Sequence, residues 1–406
     1  MREMFTSLRA GPFRRLLLSR TVSLVGDSMA PVALAFAVLA MPNGSAAGLG
    51  AVLAARSLAQ IAFFLGGGVL ADRLPRKQLM IGAELLAASS QACAATLVIG
   101  GDARIPELAA LAAVNGAAAA TFMPTVHGTL PTIVSADRLR SANALLRLTM
   151  GVSTIVGSLL ASVLVAALGP GYALLADAGT FLASALLLVG IRVPAPVRHD
   201  RRTFLADLGH GWREFRTRRW VWVVVAQFAV LNACVDGGIR VLGPVVADER
   251  LGGATAWSLI LATQATGRLV GSFLAMRIGP RRPLFVAVNL AFGFVPPFVL
   301  LAVGAPAVVV AFATLISGVC GTVFSVLWST ALQTHVPNDI LSRITSYDLL
   351  GSYALGPIGL SLVGWAAAAF GTEQVLLLCA GLCALATIAA LSTQDIRREP
   401  VEARAG

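Results

Sequence analysis

Charge is scarce in this chain. Only 13% of its 406 residues are Asp, Glu, Lys or Arg, about half the usual share of a soluble domain, so an ordinary soluble globule is excluded. Lys77 is the sole lysine, and there are four His and three Tyr. The five cysteines, Cys93, Cys234, Cys320, Cys379 and Cys383, fall inside apolar runs at no metal-ligand spacing. They read as small buried hydrophobes, and no metal is expected. No Gly-x-x-x-x-Gly-Lys-Ser/Thr phosphate loop occurs, and no polar stretch is long enough to hold a nucleotide-hydrolysing domain. That disfavours an ATP-driven machine, unless a partner chain supplies the ATPase. Neither His-Glu-x-x-His nor Gly-x-Ser-x-Gly is present and the histidines are scattered, so enzymatic chemistry lacks a nucleophile, a base and a metal cluster.

Apolar residues are abundant instead: 57% of the chain, with a mean hydropathy of +0.81. They cluster in twelve runs, near 16–40, 46–71, 78–100, 106–131, 141–168, 171–192, 219–246, 255–276, 283–304, 306–332, 343–370 and 373–393. A run of about 20 residues crosses a bilayer as a helix, whereas a membrane strand needs only about 10 with strict alternation. These Ala/Leu/Val/Gly-rich runs lack that alternation, and backbone groups in lipid must be satisfied within the segment, so helices follow. The expected class is an all-α integral membrane protein with twelve transmembrane helices. The first run is too long for a cleaved signal peptide, and none is expected.

The net charge of +11 would point to nucleic acid in a soluble chain, but here its placement matters more. Six short breaks between runs, Met41–Ser45, Gly101–Ile105, Gly169–Pro170, Ala247–Ala254, Ala305 and Gly371–Thr372, carry only Arg104 and Arg250 as basic residues. The alternate breaks hold clusters such as Arg14 and Arg15, Arg73, Arg76 and Lys77, and Arg281 and Arg282. The positive-inside rule therefore places both termini and the long central loop in the cytoplasm. The expected partners are the lipid bilayer and a small-molecule substrate, with no nucleic acid.

That loop, Val193–Arg218, divides the chain into a first bundle (1–192), a basic linker (193–218) and a second bundle (219–406) with a short cytoplasmic tail. Phe204, Leu205, Leu208, Trp212 and Phe215 recur at helical steps, predicting an amphipathic helix on the anionic inner leaflet. Six and six helices suggest an internal repeat. Leu130, Val134, Asp137 and Leu139 indeed return as Leu332, Val336, Asp339 and Leu341 at constant spacing.

Between the second and third runs lies the segment Gly68-Val-Leu-Ala-Asp72-Arg73-Leu-Pro75-Arg76-Lys77. It resembles the signature loop between helices 2 and 3 of the major facilitator superfamily, with Pro75 where the family usually has a small Gly. Its counterpart Arg277-Ile-Gly-Pro-Arg281-Arg282 keeps the turn and the basic pair but has lost the acid. Further residues, Ser23–Asp27, then Asp137, Leu139, Asn143 and Ala144, then Gln333, Val336 and Pro337, and Arg343, Ser346 and Asp348, resemble the exporter branch of bacterial drug, macrolide and siderophore carriers. The Gly-Pro step of many drug antiporters is absent from helix 5, where Ser158 follows Gly157, and Gly356-Pro357 offers a similar step in helix 11. No Arg lies within helix 4, so any proton relay must use other residues.

The resemblance implies two six-helix pseudo-symmetric bundles working by alternating access, in the bacterial inner membrane, as a monomer. It implies proton-coupled export of an amphipathic small molecule, with the proton gradient as driving force and no cofactor. An uptake carrier or facilitator of the same fold, or a transport-inactive sensor or scaffold, are the alternatives. In the family the signature loop braces the first half against helix 11. Gly68, Asp72, Arg73, Arg76, Lys77, Asp137, Arg343 and Asp348 are thus expected to form a cytoplasmic gate, with Glu84 near enough to join it.

Ionisable groups inside the hydrocarbon cost about 2.5–3.5 kcal/mol each on insertion scales, so those present face the interior and have a use. Asp27, in mid-helix 1 with Arg20 two turns earlier on the same face, is the leading proton site; the alternative is a permanent structural ion pair. Asn232, Asp236 and Arg240 recur every four residues on helix 7, and Asp236 is the second coupling candidate. The stripe could bind substrate, form an outward gate, or simply pair with itself. Arg56 and Arg268 have no partner on their own helices, so each is expected to seek Asp27, Asp177, Asp236 or a backbone carbonyl on another helix. Asn115, Gln227 and Gln264 could bond substrate or hold helices together. Trp328, with Phe122, Phe228, Phe292, Phe294, Phe298 and Phe324, is a candidate for an apolar cavity wall. Glycines in helices 2, 5, 8 and 11 (Gly66–Gly68, Gly151, Gly157, Gly267, Gly271, Gly351, Gly356 and Gly359) suit close approach, expected against the opposite half.

Overall fold

The computed structural model describes residues 11–73, 75–135, 138–191, 213, 215–280 and 282–398, without the side chains of 64–73, 123, 124, 127, 128, 131, 140, 141, 144, 338–340, 342, 343, 346 and 398. The expectations for Gly68, Asp72, Arg73, Asp137 and Arg343 lie outside this description, as does the linker from 192 to 212. Among the described residues there is no strand. The first six long helices are α1 (Gly11–Leu39), α2 (Ala46–Arg73), α3 (Arg76–Gly100), α4 (Ile105–Ile133), α5 (Leu139–Leu168) and α6 (Pro170–Val189). The next are α7 (Arg219–Leu251), α8 (Gly253–Ala275), α9 (Pro283–Ala302) and α10 (Ala307–His335). An interrupted α11 (Asn338–Tyr353 and Gly356–Phe370) and α12 (Thr372–Leu391) follow, and a short α13 (Gln394–Arg398) ends the described chain. Eleven spans among the described residues are long and apolar enough to cross a membrane. Helix α8 is 23 residues long, but Gln264 and Arg268 dilute its apolar character.

Glycine and proline explain the breaks. Gly101, Gly169, Gly252, Gly253, Gly304 and Gly371 have φ between 67° and 98°, the left-handed region that a side chain disfavours. Each stands at a helix-to-helix turn. Asp102 N–H donates to Leu97 O at 3.1 Å and Ala305 N–H to Leu300 O at 2.9 Å, the same closing bond in corresponding places. Pro357 has no N–H for the carbonyl of Tyr353, and α11 breaks there. Pro296 and Pro297 likewise leave α9 with a 3₁₀ turn over Ala291–Phe294. Pro244 withholds a donor from Arg240, and α7 widens into a π-helix over Val235–Leu242.

The described chain forms two compact units, Met1–Arg198 with Ala247–Ala262, and His199–Val246 with Thr263–Gly406. In the first, α1 packs on α5 and α6, α2 on α4, and α3 on α4 and α6. In the second, α7 packs on α11 and α12, and α9 on α10 and α12, while α8 meets α10. The internal packing is thus duplicated. Lipid gives little hydrophobic drive between helices, so close contact through small residues has to hold them. Gly157 of α5 seats on the carbonyl of Val25 in α1, and Gly359 of α11 on that of Ala233 in α7. Gly116 of α4 seats on the carbonyl of Arg56 in α2, and Gly318 of α10 on that of Gln264 in α8. Gly157 and Gly359, like Gly116 and Gly318, are separated by the spacing that relates Leu130 to Leu332.

The tight contacts of Gly157, Gly267, Gly271, Gly356 and Gly359 are with helices of their own unit. One expectation is corrected here. Phe215, assigned to a surface helix, is buried in the core of the second unit, 5.7 Å from the Tyr347 ring.

Candidate functional site

The first unit gathers buried polar groups where α1, α2, α3 and α6 approach one another. Arg56 Nη2 on α2 donates to Asp27 Oδ1 on α1 at 2.7 Å, with the Asp27 side chain 39% exposed. Arg56, not Arg20, is therefore the direct partner of Asp27. Two turns from Asp27, the Arg20 guanidinium lies 5.1 Å from the centroid of the Phe122 ring, within electrostatic reach of Asp27 and Glu84. That contact also removes Phe122 from any free cavity wall.

Asp177 on α6 completes this group. Its side chain is wholly buried and accepts from Gln91 Nε2 at 2.5 Å and the Thr180 hydroxyl at 3.5 Å. It lies against Gly26, where a Cβ would strike its carboxylate, and within reach of Asp27 and Arg56. Sequence reasoning named Asp177 only as one conceivable partner of Arg56; an acid in mid-span is the signal that warranted more. Glu84, expected near the gate, is buried on α3 and accepts from Ser23 of α1 at 3.3 Å.

Among the described residues three carboxylates, the buried Glu84 and Asp177 and the partly exposed Asp27, thus lie within electrostatic reach of two guanidiniums, Arg20 and Arg56. Arginine does not deprotonate in proteins, so full ionisation leaves one negative charge in excess. Asn115 is buried on α4 with an unpartnered Nδ2. At the loop end, Lys77 Nζ donates to Val189 O at 2.6 Å and Arg15 donates to Gly190 O. Both bind orphan carbonyls at the C-terminus of α6, a favourable place for cations. Arg76 is also engaged.

The second unit holds a cavity of about 510 Å³ among α7, α8, α9, α10 and α11, within the usual size range of small-molecule sites. One wall is aromatic. Phe228 stacks on Phe324 at 3.9 Å and 19°, and the Trp328 ring lies nearly parallel to that of Phe324, with centroids 6.2 Å apart and planes 12° apart. Trp220 braces Trp328 edge-on at 5.5 Å. Phe294 also lines the space, whereas Phe298 is sealed in the core against Gly238 and Phe292 faces outward.

Polar groups punctuate that wall. Trp328 Nε1 donates to Asp348 Oδ2 at 3.0 Å, and the Ser352 hydroxyl reaches Oδ1 at 3.4 Å. Asp348, expected at the gate, therefore engages cavity residues of its own unit, because the helix of α11 begins earlier than the apolar run does. Asn232 Nδ2 donates to Ser352 O at 2.9 Å. Arg268 Nη2 donates to Gln264 Oε1 at 3.1 Å, so its partner does lie on its own helix, one turn back. Asp236 and Arg240 pair at 3.1 Å on the π-helical stretch of α7, with Asp236 against Gly356. Neither is in the cavity wall. Gln227 turns away, donating to Thr387 of α12 at 3.1 Å.

A duplicated helical bundle with ion pairs within its apolar spans and an aromatic cavity defines a multi-pass membrane carrier of small molecules. The chain belongs to the Major Facilitator Superfamily, whose model matches residues 16–359. It is 26% identical over 371 residues to an enterobactin exporter of Salmonella paratyphi A, covering 86% of this chain and 85% of that one. An uncharacterized MFS-type transporter of Bacillus subtilis is 24% identical over 277 residues, 65% of this chain and 64% of the other. Among solved structures, a nucleoside transporter superposes with a TM-score of 0.74 at 15% identity over 94% and 98% of the two chains. A bacterial homologue of the iron transporter ferroportin gives 0.71 at 18% identity over 95% and 98%. These likenesses establish the fold. The protein is a transporter and not an enzyme.

Proposed function

We propose that this protein exports an amphipathic small molecule from the cytoplasm across the bacterial inner membrane in exchange for protons, as a monomer with both termini cytoplasmic. The observation that carries the coupling is the surplus carboxylate of the first unit. With two permanent guanidiniums among three acids, binding one proton brings the group to electrical balance, which a low-dielectric region favours. Asp27 is the acid that protons can reach, since Asp177 and Glu84 are buried. Arg56 competes with the proton for the same oxygen. Separation of α1 from α2 would favour proton uptake, and their approach would favour release.

The aromatic cavity of the second unit suits the apolar body of a substrate and its polar groups the head. Export is supported by the similarity along 86% of the chain to an enterobactin exporter, and inward placement of the termini by the distribution of arginines. Reconstitution into proteoliposomes tests the reading. Under an imposed pH gradient, a panel of lipophilic dyes, macrolides and siderophores is expected to include a compound that moves against the proton flow and evokes a matching proton current. Substrate movement without proton flux sinks antiport. Accumulation in the same direction as the protons sinks export.

A further inference from the structure

We propose that the cavity of the second unit is a binding site for a planar aromatic anion, its acidic group held by Arg268 and its ring lying along Phe324 and Trp328. The inference rests on the reading that this cavity receives the transported molecule, and it narrows the substrate from amphipathic to acidic.

The argument begins with an unmatched charge. Arg268 opens into the cavity and is permanently cationic. Among the described residues no carboxylate lies within ion-pair distance of it; its bonded acceptor is the neutral Gln264 amide, at 3.1 Å. Its charged neighbour across the helices is Arg240, already paired with Asp236, so the three together carry one excess positive charge. The first unit presents the contrast: there Arg56 has Asp27 at 2.7 Å. A guanidinium leaves a planar fork of donors for which a carboxylate is the matching acceptor.

The remaining acid of the cavity does not fill this role. Asp348 is occupied by Trp328 Nε1 and the Ser352 hydroxyl, so its oxygens already have donors. The bond from Trp328 Nε1 also holds the indole nearly parallel to the Phe324 ring. An aromatic wall one helical turn long thus stands in the same cavity as a cation with no carboxylate within ion-pair distance among the described residues. An aromatic ring with an acidic substituent satisfies both, whereas an aromatic cation would face Arg268 with like charge.

Equilibrium binding to the purified protein in lipid nanodiscs, with no gradient, decides the matter with three probes of one shape: 2-naphthoate, 2-naphthalenemethanol and 2-naphthylmethylammonium. A charge-assisted bond predicts naphthoate binding about 10-fold or more tighter than the alcohol, with the ammonium weakest. Arg268→Gln is expected to erase the preference for the acid while leaving the alcohol unchanged, and Arg268→Lys to restore part of it. Phe324→Leu should weaken acid and alcohol together. Thermal melting and elution profiles equal to those of the parent show that each variant is folded. The proposal is overturned if the alcohol or the ammonium binds as well as the acid, if Arg268→Gln keeps the preference, or if no probe binds at millimolar concentration. If naphthoate binds as expected yet no compound moves against protons in proteoliposomes, the antiport reading fails and this site stands.

Discussion

Asp27→Asn should abolish concentrative transport while sparing gradient-free exchange. A gradient of two pH units stores about 2.7 kcal/mol per proton, enough for about 100-fold accumulation. With the carboxyl replaced by an amide of the same shape, that ratio is expected to fall to one, because the side chain still accepts from Arg56 but no longer binds a proton. The variant should fold. Asp27 is 39% exposed, so losing its charge costs less than the roughly 3–5 kcal/mol of breaking a sealed ion pair. Arg56→Gln should also uncouple, by removing the competitor for the proton, and the double variant should resemble either single one rather than their sum. Counterflow of labelled substrate, measured beside pH-driven uptake into inverted vesicles, reads both properties. Full accumulation by Asp27→Asn would refute the assignment and shift attention to Asp177 or Glu84.

The spans were legible because lipid allows few solutions: a run of apolar residues this long must be helical, and most observed boundaries lie within a few residues of the ends of those runs. Departures came where proline removed a donor. Pro244 lies beyond Asp236 and Arg240 in sequence, yet the π-helical winding it accompanies shapes the stretch on which they pair. Pairings between helices were not legible. Asp27 could be recognised as costly from its position alone, but the choice of Arg56 over Arg20 depends on how closely α1 and α2 approach, which one helix's periodicity does not encode. For the same reason Asn232, Gln264 and Trp328 were chosen along with Gln227, and only the geometry separates the three that line the cavity from the one that meets Thr387. The spacing that relates Leu130 to Leu332 proved more informative than four matched residues implied, since the glycines at the helix crossings follow it too.

Gly116→Ala and Gly318→Ala should each destabilise the protein and impair its transport together. In both units a glycine of the fourth or tenth helix presses on the backbone of a helix that carries an arginine: Gly116 on the carbonyl of Arg56 itself, Gly318 on the carbonyl of Gln264 and near the amide of Arg268. A Cβ at either place would meet main chain, which has no rotamer to change, so the helices must separate. Overpacking of this kind costs about 1–3 kcal/mol, or about 2–4 °C in Tm per kcal/mol for a unit of this size. Gly82→Ala and Gly179→Ala are the controls, since an added Cβ there has no heavy atom within 4 Å. They should leave Tm unchanged or slightly higher, alanine being the better helix former by about 0.5–1 kcal/mol. The functional consequence differs by unit, and this separates a positioning role from general looseness. Displacing α2 draws Arg56 away from Asp27, so Gly116→Ala should weaken coupling at unchanged substrate affinity. Displacing α8 moves Arg268, so Gly318→Ala should weaken binding of the acidic probe at unchanged proton stoichiometry. Equal losses of both properties in both variants would reduce the two glycines to packing alone.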